Sequence, residues 1–256
     1  MDIEILILIG ILCGIAAGFF GIGGGIILVP CLLFYGMDME YAIGVSIMQM
    51  IFSSTFGSII NIYQKKLDVK QGIYVALGGL IGASFSGTIV NYLSSQTLLL
   101  LFLLLSCISF YKYAFNLKTQ TNPSPPITNP IKQKILMIIA GSITGIFAVS
   151  LGIGGGLILA PMLAYFLGFS SKKIVPVSLF FIIFASLSGS ISLATHNLID
   201  FKSGLIIGIS SIIGVSFGIY LISKVTLRNH RYALIAIYAL SIVSTSWKVA
   251  QGFDII

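Results

Sequence analysis

The chain has 256 residues, of which 57% are hydrophobic and 8% charged, against roughly 25% charged in an ordinary soluble domain. So few charges cannot coat a soluble fold of this size. That points to an integral membrane protein and excludes a secreted disulfide scaffold, a coiled coil, a disordered chain and most soluble enzymes. The net charge of +7 implies no nucleic-acid partner, because the cations lie in short runs between apolar segments, as positive-inside topology requires.

In chain order, apolar segments run over 3–20, 26–36, 41–63, 71–93, 97–115, 135–151, 157–167, 174–195, 203–223 and 232–250. A spanning helix needs about 20 residues. Six segments reach that length: 41–63, 71–93, 97–115, 174–195, 203–223 and 232–250. The other four form two pairs, each split by a glycine cluster. The runs are continuous rather than alternating, so membrane strands are excluded and the class is all-α. Met1-Asp2-Ile3-Glu4 lacks the basic region of a signal peptide, and the first apolar run reads as a membrane segment. Cys13, Cys31 and Cys107 each sit in an apolar stretch without a C-x-x-C spacing and read as small buried hydrophobes. Residues 117–134 hold four of the seven prolines among polar residues and read as an extended linker.

The linker separates two copies of one pattern. Gly14-Ile15 matches Gly145-Ile146, Gly21-Ile22-Gly23-Gly24-Gly25 matches Gly152-Ile153-Gly154-Gly155-Gly156, and Pro30 matches Pro161, all at an offset of 131. After one inserted residue the match resumes at 132: Val45-Ser46 with Val177-Ser178, Gly57-Ser58-Ile59 with Gly189-Ser190-Ile191, and Asp68, Lys70 and Gly72 with Asp200, Lys202 and Gly204. Charge relates the halves. If each glycine-split pair enters and leaves on one side, three crossings follow in each half and the second half is inverted. With the N-terminus outside, 12 of the 14 Lys and Arg then lie in the cytoplasm. If each pair were a single crossing the split would be 9 to 5, so the positive-inside rule favours inversion. The predicted fold is an all-α integral membrane protein of two inverted repeats, each a glycine-broken helical hairpin plus three transmembrane helices. Residues 1–116 form the first repeat, 117–134 a cytoplasmic linker and 135–256 the second repeat.

Broken helices in inverted repeats place half-helix N-termini near the membrane midplane, where transporters bind substrate. Gly21, Gly23, Gly24 and Gly25, with Gly152, Gly154, Gly155 and Gly156, are the candidates for that role. Each cluster precedes an apolar run, so its N–H groups open a helix and suit an anion. Tight helix packing is the other reading of such glycines. The cluster is no nucleotide fingerprint, because no βαβ context surrounds it. No Lys, Arg, Asp or Glu lies deep inside a span, so a bound anion would be held by amides and neutral donors. Ser46, Gln49 and Ser53 share a helix face. Ser46 and Ser178 are repeat-matched candidates, and Gln49 joins them because an amide in lipid needs partners. Serines of membrane helices also bond back to their own backbone. Asp68 and Asp200 read as helix N-caps, and His196 as an interfacial histidine. No catalytic constellation, metal spacing or cofactor motif is visible.

The duplicated Gly-x-Gly-Gly-Gly…Pro, with a serine-bearing helix after each copy, resembles the TauE/SafE sulfite exporter family over nearly the whole chain. The resemblance implies a multi-pass protein of the bacterial cytoplasmic membrane that exports sulfite or small organosulfonates, with a small anion and the lipid bilayer as partners. An anion channel and a non-transporting membrane subunit of a sulfur-metabolism complex are the alternatives.

Overall fold

A computed structural model describes residues 2–67, 69–115, 130–156, 158–159, 162–163 and 171–252. Among these the regular structure is all helical. The first half contains α1 (Ile3–Phe20), α2 (Gly25–Phe34), α3 (Met39–Tyr63), α4 (Val69–Ala83), α5 (Ser86–Tyr92) and α6 (Ser95–Phe115). The second contains α7 (Pro130–Thr144), which runs on into a π-helical turn at Gly145–Val149, then α8 (Ser171–Ala194), α9 (Phe201–Lys224) and α10 (Leu227–Gly252). Residues 156, 158–159 and 162–163 are also helical.

Among the described residues, eight helices are long and apolar enough to cross a membrane. That is two more than the six expected, because the first limb of each glycine-broken pair, Ile3–Phe20 and Ile131–Val149, has the length by itself. No proline or glycine cluster interrupts either limb before its turn. By contrast α2, with 10 residues, is about 15 Å long, half of the hydrocarbon thickness. The segment expected as one helix over 71–93 is jointed at Ser84-Phe85, where the Ser84 hydroxyl donates to the Ile81 carbonyl at 2.7 Å. Of the expected linker, residues 117–129 lie outside the described residues. From Pro130 onward the chain is already helical, with proline at the first helical position, where its missing N–H costs nothing.

Large apolar side chains face outward along the helices, Leu8, Leu12, Leu104, Ile213 and Val243 among them. A soluble protein cannot carry such a surface. The chain is a multi-pass membrane protein, and lipid covers these residues.

Close backbone approaches give the helix directions. Gly10 of α1 meets Ile207 of α9, Gly14 meets Ser211 and Gly18 meets Val215, so the two helices run the same way. A Cβ on Gly14 would stand 2.1 Å from the Ser211 carbonyl oxygen, and this small-residue stripe is what lets the backbones touch. Helix α3 also runs with α9: Met48 lies on Gly204, Phe52 on Gly208 and Val215 on Gly57. Since α1 and α3 point the same way, the intervening α2 folds back, and α1 with α2 forms a hairpin. Helix α4 runs with α7, through Val75 against Gly141 and Gly79 against Gly145. It also runs with α8, where the Ser188 and Ser192 hydroxyls donate to the Leu80 and Ser84 carbonyls. At the centre α3 and α8 pack antiparallel, with Leu179 beside Gly57 and Ile47 beside Gly189.

These contacts repeat under exchange of the halves. Gly14 on Ser211 is matched by Gly145 on Gly79, and Gly57 on Leu179 by Gly189 on Ile47. Helices at matched positions, α1 with α7 and α3 with α8, point in opposite directions. Helices α3 and α8 form the core, with 61% and 67% of their most apolar windows buried, whereas α6 and α10 stand at the rim with 22% each.

Candidate substrate site where the glycine turns meet

Each hairpin turns on residues that only glycine suits. Gly21, Gly23 and Gly24 have φ of 69°, 83° and 90°, and Gly152 and Gly154 have 64° and 86°. L-residues rarely adopt this left-handed conformation. Gly21 caps the end of α1, its N–H donating to the Ala17 carbonyl at 2.9 Å, and Gly24 is the N-cap of α2. The two turns interlock at the centre of the molecule. A Cβ on Gly25 would lie 1.8 Å from the Gly152 carbonyl oxygen, one on Gly154 1.9 Å from that of Ile22, and one on Gly156 2.5 Å from that of Gly21. Gly155 has an ordinary φ, and its face is covered by the Phe181 ring, 2.2 Å from an added Cβ.

The repeat-matched serines tie the turns across the halves. The Ser46 hydroxyl, on α3, donates to the Gly152 carbonyl at 2.8 Å. The Ser178 hydroxyl, on α8, donates to the Gly21 carbonyl at 2.7 Å. Both serines are buried, and both hydroxyl hydrogens are engaged in bracing the turn of the opposite half. Their remaining chemistry toward a ligand is that of an acceptor.

Gln49 differs. It lies one turn beyond Ser46 on α3, next to Met50, whose sulfur and methyl pack on Gly23, Gly25 and Gly154. It is 0% exposed, and neither its Oε1 nor its Nε2 has a hydrogen-bonding partner in the structure. The matched position in the second half is Phe181, 132 residues on. One half thus places an aromatic ring against its glycine turn, and the matched residue of the other half is a buried primary amide.

The remaining sequence candidates fall as follows. Ser53 and Ser54 donate to the Met50 carbonyl of their own helix. The Asp200 carboxylate caps α9, accepting from the Lys202 and Ser203 N–H groups at 3.1 and 3.2 Å. Asp68 and Pro161 lie outside the described residues. The three cysteines are free, with Cys13 buried and Cys107 exposed. No group of three or more His, Cys, Asp or Glu able to hold a metal occurs among the described residues. Among the buried polar groups that were not singled out from the sequence is a histidine. His230, on the first turn of α10, packs at a tilt against Phe19 and Phe20, with ring centroids 5.0 and 5.3 Å away, and its Nε2 lies 3.0 Å from the Phe19 carbonyl oxygen at the end of α1. Two adjacent phenylalanines just before a glycine turn were its only sequence signal.

Comparison with known proteins covers the whole architecture. The family model described as sulfite exporter TauE/SafE matches residues 6–245. A "Probable membrane transporter protein" of Methanocaldococcus jannaschii is 28% identical, over 92% of this chain and 92% of its own. The "Probable membrane transporter protein YunE" of Bacillus subtilis is 27% identical, over 75% of this chain and 78% of its own. A further "Probable membrane transporter protein" of Xylella fastidiosa is 26% identical, over 93% and 94%. No solved structure matches the chain.

Proposed function

The chain belongs to the TauE/SafE sulfite exporter family, a family of membrane transporters, and we propose that it exports small sulfur-containing anions such as sulfite or organosulfonates. In this reading the anion sits where the two glycine turns meet. It takes hydrogen bonds from the backbone N–H groups that open α2 and its counterpart, and from the Nε2 of Gln49. The positive end of a helix dipole favours an anion there without a buried cation. Inverted halves whose broken hairpins enter from opposite faces are the arrangement in which such a site alternates between the two sides.

The observation that carries the proposal is Gln49, fully buried with both amide atoms unpaired beside the turns. Burying such a group without a partner costs about 1–3 kcal/mol. A residue that lowers stability in this way at the centre of a transporter is explained by a ligand that supplies the bond.

Gln49→Leu tests this, because it removes the amide and keeps the bulk. The variant should be at least as stable as the native protein in thermal unfolding. Sulfite should raise the unfolding temperature of the native protein, since a ligand stabilises the state it binds. That shift should be lost or reduced in Gln49→Leu, with affinity lower by about tenfold or more, as expected for one hydrogen bond to a charged group. A Gln49→Leu protein that is less stable yet binds sulfite normally would make the amide structural and defeat the assignment.

A further inference from the structure

The two halves are matched in sequence and packing, yet their ends are not equivalent, and the difference lies in four pairs of residues. Helices α3 and α8 end alike. Lys65 and Asn197, matched by the 132 offset, both adopt left-handed φ, at 54° and 56°. The next N–H then bonds back to the helix: Lys66 to the Asn61 carbonyl at 2.9 Å, and Leu198 to the Leu193 carbonyl at 3.1 Å. This is the same Schellman-type cap, in which the paired positions usually make an apolar contact. Leu193 and Leu198 satisfy that rule. Asn61 and Lys66 do not.

The packing around the caps diverges in the same sense. At the Leu193 end, Gly44 lies so near Leu198 that a Cβ would stand 2.0 Å from its carbonyl oxygen, and Gly87 is equally close to the Ser192 carbonyl. Leu193 and Val90 are 0% exposed there, so that end is sealed by backbone contact and apolar side chains. At the other end the counterpart of Gly44 is Pro176 and that of Gly87 is Ile219. Neither permits a backbone approach of that kind. What results is a cleft of about 200 Å³, lined among others by Gly18, Asn61, Lys66, Val175, Pro176 and Ser223. It adjoins the first glycine turn, since Gly21 packs directly on Val175.

We propose that this cleft is a vestibule site for a small oxyanion, through which cargo reaches the glycine turns from the face that carries Lys65 and Lys66. Lys66 supplies the positive charge; Asn61, whose Nδ2 donates to the Gly57 carbonyl at 2.8 Å, keeps a second N–H for the anion, while the Ser223 hydroxyl donates to the Tyr220 carbonyl at 2.6 Å and only lines the wall. Pro176 and Ile219 hold the cleft open, where Gly44 and Gly87 let the opposite end close. The proposal rests on the anion reading of the central site and assigns a second, more external station to it.

The test uses the full-length protein in liposomes, with sulfite as probe and a membrane-impermeant thiol reagent, the native protein with its own cysteines serving as background. Ile222→Cys, in the cleft, should react from the Lys66 face. Val90→Cys, its counterpart at the sealed end, should not react from either face. Sulfite should slow labelling of Ile222→Cys. Lys66→Gln in that background should raise the sulfite concentration needed by about three- to tenfold, and Lys66→Arg should restore it. Equal reactivity at Ile222→Cys and Val90→Cys would overturn the asymmetry. Protection unchanged by Lys66→Gln, in a protein that sulfite still stabilises against heat, would overturn the vestibule and leave the central site standing. Sulfite that neither stabilises the native protein nor slows labelling would remove the anion reading itself, whereas the labelling contrast between the two cysteines would stand apart from it.

Discussion

At the scale of single residues, glycines in neighbouring positions act for different physical reasons, and this separates their variants. Gly24 has φ of 90°, and its added Cβ would stand 2.5 Å from the Cys13 carbonyl oxygen. Gly24→Leu therefore meets both left-handed strain, about 1–2 kcal/mol, and a backbone clash that cannot relax. Gly155 has neither problem; its Cβ meets the Phe181 ring, which can move. Both leucine variants should abolish transport, but Gly155→Leu should be partly rescued by Phe181→Ala and Gly24→Leu by no single change, as measured by transport and by folded protein in the membrane. The serines give a second contrast. Ser46→Ala and Ser178→Ala each delete a bond between the halves and should lower unfolding stability by about 0.5–1.5 kcal/mol. Ser106→Ala removes a buried hydroxyl that has no partner and should be neutral or slightly stabilising. A Ser178→Ala protein of native stability with weakened sulfite binding would instead place that hydroxyl on the cargo.

At the scale of elements, pairs drawn from opposite halves are the units of packing. Helix α1 is locked to α9 through Gly10, Gly14, Gly18, Gly214 and Gly218, and α4 to α7 through Gly78, Gly82, Gly141 and Gly145. In lipid no hydrophobic force drives helices together, so close van der Waals contact between backbones does so instead. Gly14→Leu should consequently reduce the yield of folded protein sharply. The control is Gly36→Ala, where φ is 82° but nothing lies within 4 Å of an added Cβ; only the backbone strain remains, about 1–2 kcal/mol. Thermal unfolding of the two purified variants distinguishes these outcomes. The stripes were visible in the sequence as glycines four apart. Which helix each stripe touches was not, because small-residue spacing names a face and leaves its partner open.

At the scale of the whole molecule, direction decides topology. Helix α8 begins beside the end of α3, since Leu179 packs on Gly57, so residue 171 lies at the same end as Lys65 and Lys66. With 12 of 14 cations on the cytoplasmic side in the inverted arrangement, the positive-inside rule predicts that this end faces the cytoplasm. A cysteine at Ser171 should therefore react with an impermeant thiol reagent only in inside-out vesicles. Labelling from the outer face would reject the orientation.

The sequence by itself determined the class, the duplication and the location of the two turns. These follow from composition, from a repeat carried by glycine, serine and aspartate rather than by apolar residues, and from the backbone conformations that glycine alone adopts readily. It also singled out Gln49, because an amide in an apolar helix is conspicuous wherever it points. Only the tertiary structure decided what those residues meet. It engaged the Ser46 and Ser178 hydroxyls with carbonyls of the opposite half, left the Gln49 amide unpaired, and buried His230 against α1. It also turned Asn61, Lys66, Pro176 and Ile219 into a cleft where Leu193, Leu198, Gly44 and Gly87 make a seal. The reason is that hydrogen bonding and close packing depend on partners more than a hundred positions away, and local pattern carries no information about which distant surface a face will find.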